Sequence, residues 1–168
     1  METNETPIYD QSHNTTGCCP RFNPDGWDGQ QLHFRDKKFL RAVTKSARHV
    51  PLNMAQVFGR VAEHMEDSAA MTTEDTFILS RDMSPSEAEH FFAVSKDVEG
   101  EEMVTLSGDF ITRVFEGPYE KAKDWEDEMR GLAAAQGKEA RKVYFMYTTC
   151  PRCAEAYGEN YLVGVAQV

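Results

Sequence analysis

One feature limits the folds open to this chain more than any other. Hydrophobic periodicity changes in the same order twice. Residues 31–50, QLHFRDKKFLRAVTKSARHV, alternate around Phe39, Arg41, Val43 and Lys45, the period of a strand. MAQVFGRVAEHMEDSAA then takes on helical spacing, with Ala55, Phe58, Ala62 and Met65 on one apolar face. Asn53 and Gln56 stand where a capping box would start this helix. TFILSRD and EHFFAVSKDV follow as strands around a turn at MSPSEA. The second pass begins with EMVTLSGDFITRVFEG, a long strand with Gly108 as a bulge. PYEKAKDWEDEMRGLAAAQG is a helix, with Ala122, Trp125, Met129, Leu132 and Ala133 facing inward and Gly137 past its end. KVYFMYTT and NYLVGVAQV close the series as strands. A unit of about 65 residues with one helix buries little core by itself. The order therefore predicts an α+β fold of duplicated strand–helix–strand–strand units, with halves at about 31–98 and 99–168. An antiparallel-rich sheet would carry both helices on one face, leaving a ligand groove between the halves. Residues 1–30 read as an N-terminal arm and loop carrying a cysteine pair, anchored by Phe22 and Trp27.

The net charge of −10 argues against nucleic acid, whose binding needs Lys and Arg to displace counterions. No apolar run approaches the roughly 20 residues that span a bilayer, so no membrane partner is expected. METNETPIYD has neither the basic cluster nor the apolar stretch of a signal peptide, which makes the cytoplasm the expected location. No GxSxG, phosphate loop, dinucleotide fingerprint or HExxH occurs. His49 reads as a structural hydrogen-bonding residue, and His33, His64 and His90 as surface residues. Oligomeric state stays open, a homodimer included.

The cysteines come as Cys18-Cys19 and Cys150-Pro-Arg-Cys153. Three readings compete: a dithiol redox couple, a metal knuckle and reduced structural thiols. A redox couple at a helix N-terminus needs most of its fold after it, and only 15 residues follow Cys153. Four thiolates suit a structural zinc site, which would tie the arm to the last hairpin. Adjacent residues in extended chain point apart, so Cys18 and Cys19 need a sharp turn to share an ion. One of them with His13 or a water is the alternative set.

The doubled element order, with several local stretches, resembles a known family over roughly residues 31–168. 114-VFEGPYEKAKDWEDEM-129, with the closing strands VYFMYTT and YLVGVAQV, is similar to the GyrI-like small-molecule-binding domain. That domain also serves as the effector-binding part of some bacterial transcription activators. GCCPRFNPDGWDGQ and YFMYTTCPRCAEAYGENY resemble a stand-alone branch of it that often carries a hydrolase label. The resemblance implies a binder of a compact apolar or aromatic molecule, walled by Tyr147, Phe145, Trp27, Tyr119, Trp125 and Phe110. It also implies an alternative: a hydrolase whose groove carboxylate activates water on a strained or electrophilic substrate. Relatives often carry Glu where this chain has Phe145, so Glu116 becomes the substitute catalytic carboxylate. A metal-dependent thiol sensor is the third reading. No organic cofactor is expected.

Overall fold

The computed structural model describes residues 1–70 and 77–168. The protein is α+β, and its chain forms two compact units, Asp36–Leu106 and Met1–Arg35 with Ser107–Val168. Strand β1 (Gln31–Ala47) starts in the second of these and continues into the first.

In the unit of residues 36–106, β1 pairs antiparallel with the two-residue strand β2 (Val50–Pro51) and with β4 (Glu87–Ala93). β4 pairs in turn with β3 (Ile78–Ser84), with a register shift between Asp82 and Ser84. Helix α1 (Met54–Asp67) buries Val57, Val61 and Met65 against Leu40, Ala42 and Phe92. The expected face was displaced: Ala55 and Ala62 are exposed and Phe58 is half-buried. Asn53 makes no capping bond. Its side-chain oxygen accepts the Lys45 amide at 2.8 Å, stitching the helix start to the end of β1. The strands run two residues further into the MSPSEA turn than expected, leaving only Pro85 and Ser86 between them. Thr76, at the head of the expected strand TFILSRD, lies outside the described residues.

His90 is not a surface residue. It is 1% exposed, with Thr44 Oγ1 at 2.9 Å from Nε2 and Ser80 Oγ at 2.7 Å from Nδ1. A neutral imidazole has one donor and one acceptor, and two hydroxyls can meet both. Beside it on β4, the buried Glu89 carboxylate takes Arg41 Nε at 2.9 Å and Arg81 at 2.8 Å. β4 is buried on both faces, so its polar residues survive only because the flanking strands supply partners. His64, half-buried on α1, holds Glu101 at 2.9 Å, and His49 holds Asp82 at 2.8 Å.

β5 (Glu102–Glu116) begins in the first unit and continues into the other, where it pairs antiparallel with β7 (Tyr161–Gln167), and β7 with β6 (Lys142–Tyr147). A single 3-10 turn at Tyr119–Lys121 leads into α2 (Ala122–Ala135). Trp125, Met129 and Ala133 are its buried residues, with Ala122 and Leu132 packed at the edge, the face expected from their spacing. Their counterparts on the strands are Ile111, Phe115, Val143, Phe145 and Leu162. Phe115 and Trp125 stack at 5.2 Å between ring centres. Gly164 on β7 permits this approach. A Cβ there would lie 2.8 Å from Met129 Sδ and 3.0 Å from Phe115. Gly164→Ala is expected to cost about 1–3 kcal/mol by overpacking, read as a lower denaturation midpoint with an unchanged slope. An equal midpoint would mean that α2 shifts without strain.

Candidate functional site

The four cysteines all belong to the second unit, and their sulfurs lie within 4.8 Å of one another. Local sequence explains how two adjacent residues manage this. Gly17 takes φ +72°, a left-handed turn open to glycine. Asn14 Oδ1 accepts the Gly17 amide at 2.9 Å, and Thr16 Oγ1 accepts the Cys18 amide at 3.2 Å. The tightened segment brings Cys18 Sγ and Cys19 Sγ to 3.8 Å. On the other side, helix α3 (Pro151–Tyr157), seven residues long, begins directly after Cys150. One helical turn separates Cys150 from Cys153, so both thiols face the arm. Cys153 is buried, Cys19 and Cys150 are half-buried, and Cys18 is exposed.

Hydrogen bonds aim at these sulfurs. The Cys150 amide donates to Cys19 Sγ at 3.5 Å, and Thr16 Oγ1 lies 3.3 Å from Cys153 Sγ. The Thr16 bond, together with the Cys19 backbone, draws the Cys153 thiol down to about 6. Burial pushes Cys19 up to about 12. The cluster thus sets a thiol of raised acidity beside one of lowered acidity, and binding a metal ion would require both as thiolates. Outer groups brace the cluster: Tyr157 OH donates to the Cys19 carbonyl at 2.6 Å, and Tyr119 OH to that of Thr149 at 2.5 Å. Tyr9 OH donates to the Thr148 carbonyl. The hydroxyl of Thr149, next to Cys150, is buried and finds no partner among the described residues.

These contacts define the arm as well. Trp27 is 1% exposed, its indole N–H donating to the Ile8 carbonyl at 3.2 Å. Phe22 packs against Tyr9, Trp27 and Tyr161. Arg21 Nε meets Glu159 Oε1 at 2.6 Å, joining the chain just after Cys19 to the turn after α3. Around this pair opens a cavity of about 380 Å³, walled by Asp10, His13, Arg21, Phe22, Glu159 and Tyr161. Arg21 holds the Glu159 carboxyl below the usual range, and the Ser12 hydrogen bonds do the same for Asp10. Burial, then the nearby Glu159, keeps the Tyr161 phenol protonated. Sequence reading singled out His13 only as an alternative metal ligand and Phe22 as an anchor of the arm, and passed over the rest. Asp10 and Glu159 lie 149 positions apart, and no motif links them.

The expected aromatic residues fall into separate groups. Phe145 and Trp125 share the core beneath α2, with Tyr119 packed at its edge. Phe110 pairs with Phe34 at 4.9 Å and is 1% exposed. Tyr147 is 47% exposed, its ring 5.8 Å from that of Tyr119. Glu116 is exposed at the end of β5, in register with Tyr161.

Among the described residues, no helix is long and apolar enough to cross a membrane. No curated protein matches the chain. The profile of the bacterial hydrolase family, in contrast, covers residues 9–168, both cysteine pairs and every wall of the cavity included. This chain belongs to the bacterial hydrolase family.

Proposed function

We propose that this protein is a small-molecule hydrolase whose N-terminal arm is fastened by one zinc ion on Cys18, Cys19, Cys150 and Cys153. The observation that carries the metal is the sulfur geometry. Four sulfurs at about 2.3 Å from a zinc ion stand about 3.8 Å apart. Cys18 and Cys19 match that edge, and the remaining separations need only small rotamer changes. Hydrogen bonds from the Cys150 amide and Thr16 suit thiolate sulfur, and the unpartnered Thr149 hydroxyl is a spare donor beside the set. Four thiolates complete a tetrahedron, so the ion's part is structural.

The name of the family lends support to the hydrolytic reading. A likeness to GyrI-like domains draws on element order: β1, β2, α1, β3 and β4 are followed by β5, α2, β6, α3 and β7, the expected series with β2 and α3 added. A ligand seeking aromatic surface would meet Tyr119 and Tyr147, which keep some exposure. The acidic balance leaves nucleic acid an unsuitable partner.

Metal analysis tests the core of this reading. Protein purified in reducing, chelator-free buffer should contain about one zinc per chain. Its thiols should react with a disulfide reagent only after a chelator is added. Free reaction of all four thiols in metal-free, folded protein would remove the zinc site.

A further inference from the structure

The cavity walled by residues of the arm and of the turn after α3 holds chemistry that neither the family nor the thiol cluster accounts for. His13 is exposed there, and its ring nitrogens make no hydrogen bond among the described residues. Its ring meets only the edge of Tyr157, at 6.0 Å between centres. Asp10 and Glu159 line the same cavity, which places two carboxylates on its walls with the imidazole. Arg21 spends Nε on Glu159, and its two terminal nitrogens have no hydrogen-bond partner among the described residues. Phe22 and Tyr161 supply an apolar wall. Among the described residues, no serine, threonine or cysteine lines the space, so an acyl intermediate on an alkyl hydroxyl or a thiol has no group to form on.

We infer that this cavity is the hydrolytic site and that it takes small carboxylic esters, with His13 as the general base that activates water. The inference rests on the hydrolase reading and gives it a place and a substrate class. A ring nitrogen of His13 takes a proton from water as the water oxygen bonds to the acyl carbon. The carbonyl electron pair moves onto its oxygen, where the Arg21 guanidinium offers N–H donors. When the carbonyl reforms, the bond to the alkoxy oxygen breaks, and the leaving alkoxide takes the proton from the imidazolium. One ester and one water give one acid and one alcohol. The carboxylates of Asp10 and Glu159 supply the negative charge that the developing imidazolium needs. An ester suits this set better than an amide, because its leaving group departs with little help.

The test uses the intact, zinc-containing protein with p-nitrophenyl acetate and butyrate. Steady turnover without an initial burst is expected. His13→Ala should lower kcat by about 10²-fold. Added imidazole should restore part of the rate with saturation, which a merely structural residue would not allow. His13→Gln serves as the second variant, and zinc content with near-ultraviolet circular dichroism reports integrity of each. Equal rates in wild type and His13→Ala would overturn the inference. So would a stoichiometric burst, or a loss in Glu116→Gln unmatched in His13→Ala. p-Nitrophenyl phosphate, p-nitrophenyl glycosides and a p-nitroanilide run in parallel separate the two levels. Turnover of one of those with none of the esters sinks the ester site and leaves the hydrolase reading. Turnover of nothing removes both.

Discussion

Cys150→Ser combined with Cys153→Ser is expected to yield folded protein with no zinc and a melting temperature lower by roughly 8–16 °C. The figure follows from linkage. An ion present at about 1,000 times its dissociation constant stabilises the folded state by about 4 kcal/mol. In a chain of this size each kcal/mol shifts Tm by about 2–4 °C. The loss stops short of unfolding because two apolar clusters pack without using the thiols, one beneath α1 and one beneath α2. It should concentrate in the arm, which the Arg21–Glu159 pair, the Tyr157 and Tyr9 hydrogen bonds and the packing of Phe22 and Trp27 would then hold without the ion. Hydrogen exchange would show this as faster exchange over residues 8–27 and 148–160, with α1 unchanged. Identical melting curves with and without chelator would refute the staple, whatever metal the protein contains.

The second large effect is one of pH. Burial drives His90 down to about 4, against which Asp82 and Glu89 pull weakly upward. In the unfolded chain the same ring titrates near 6.5. The unfolded state therefore binds the proton first, and stability is lost as pH falls from about 6.5 to about 4. That interval corresponds to about 3 kcal/mol. The Thr44 and Ser80 hydroxyls can rotate to accept from both N–H groups of the charged ring, but they carry no negative charge to offset it, so burial still opposes protonation. His90→Gln keeps a donor and an acceptor but does not titrate. Urea denaturation of both proteins at pH 7 and pH 4.5 should show wild type losing about 2–3 kcal/mol more than the variant. Glu89, held below the usual carboxylate range although burial opposes its ionisation, loses stability at lower pH in both proteins, so it cancels in the comparison. Parallel losses would mean that His90 carries a proton in the folded state.

The contrast between α1 and α2 shows what the sequence could reveal. In α2, Trp125, Met129 and Ala133 are large or well-spaced apolar groups among charges, and only one face can be buried. α1 contains alanines and valines on overlapping arcs. A count of apolar positions chose Ala55, Phe58 and Ala62, while packing chose the β-branched Val57 and Val61. Element order was legible in both units because each change of period falls between long runs. The polar interior of β4 was not. Glu89 and His90 look like surface residues until Arg41, Arg81, Thr44 and Ser80 arrive from neighbouring strands. The thiol cluster was readable as a set, since cysteines are few and paired. Its feasibility turned on the Asn14–Thr16–Gly17 bend, a local device that spacing alone does not announce.

The walls of the cavity are threaded on both sides of the sulfurs, with Asp10 and His13 before Cys18, Arg21 and Phe22 after Cys19, and Glu159 and Tyr161 beyond α3. With zinc as the proposed staple, a preparation stripped by EDTA would keep the clusters beneath α1 and α2 and its far-ultraviolet circular dichroism while the walls slacken, so the proposed activity is to be assayed in zinc-replete solution.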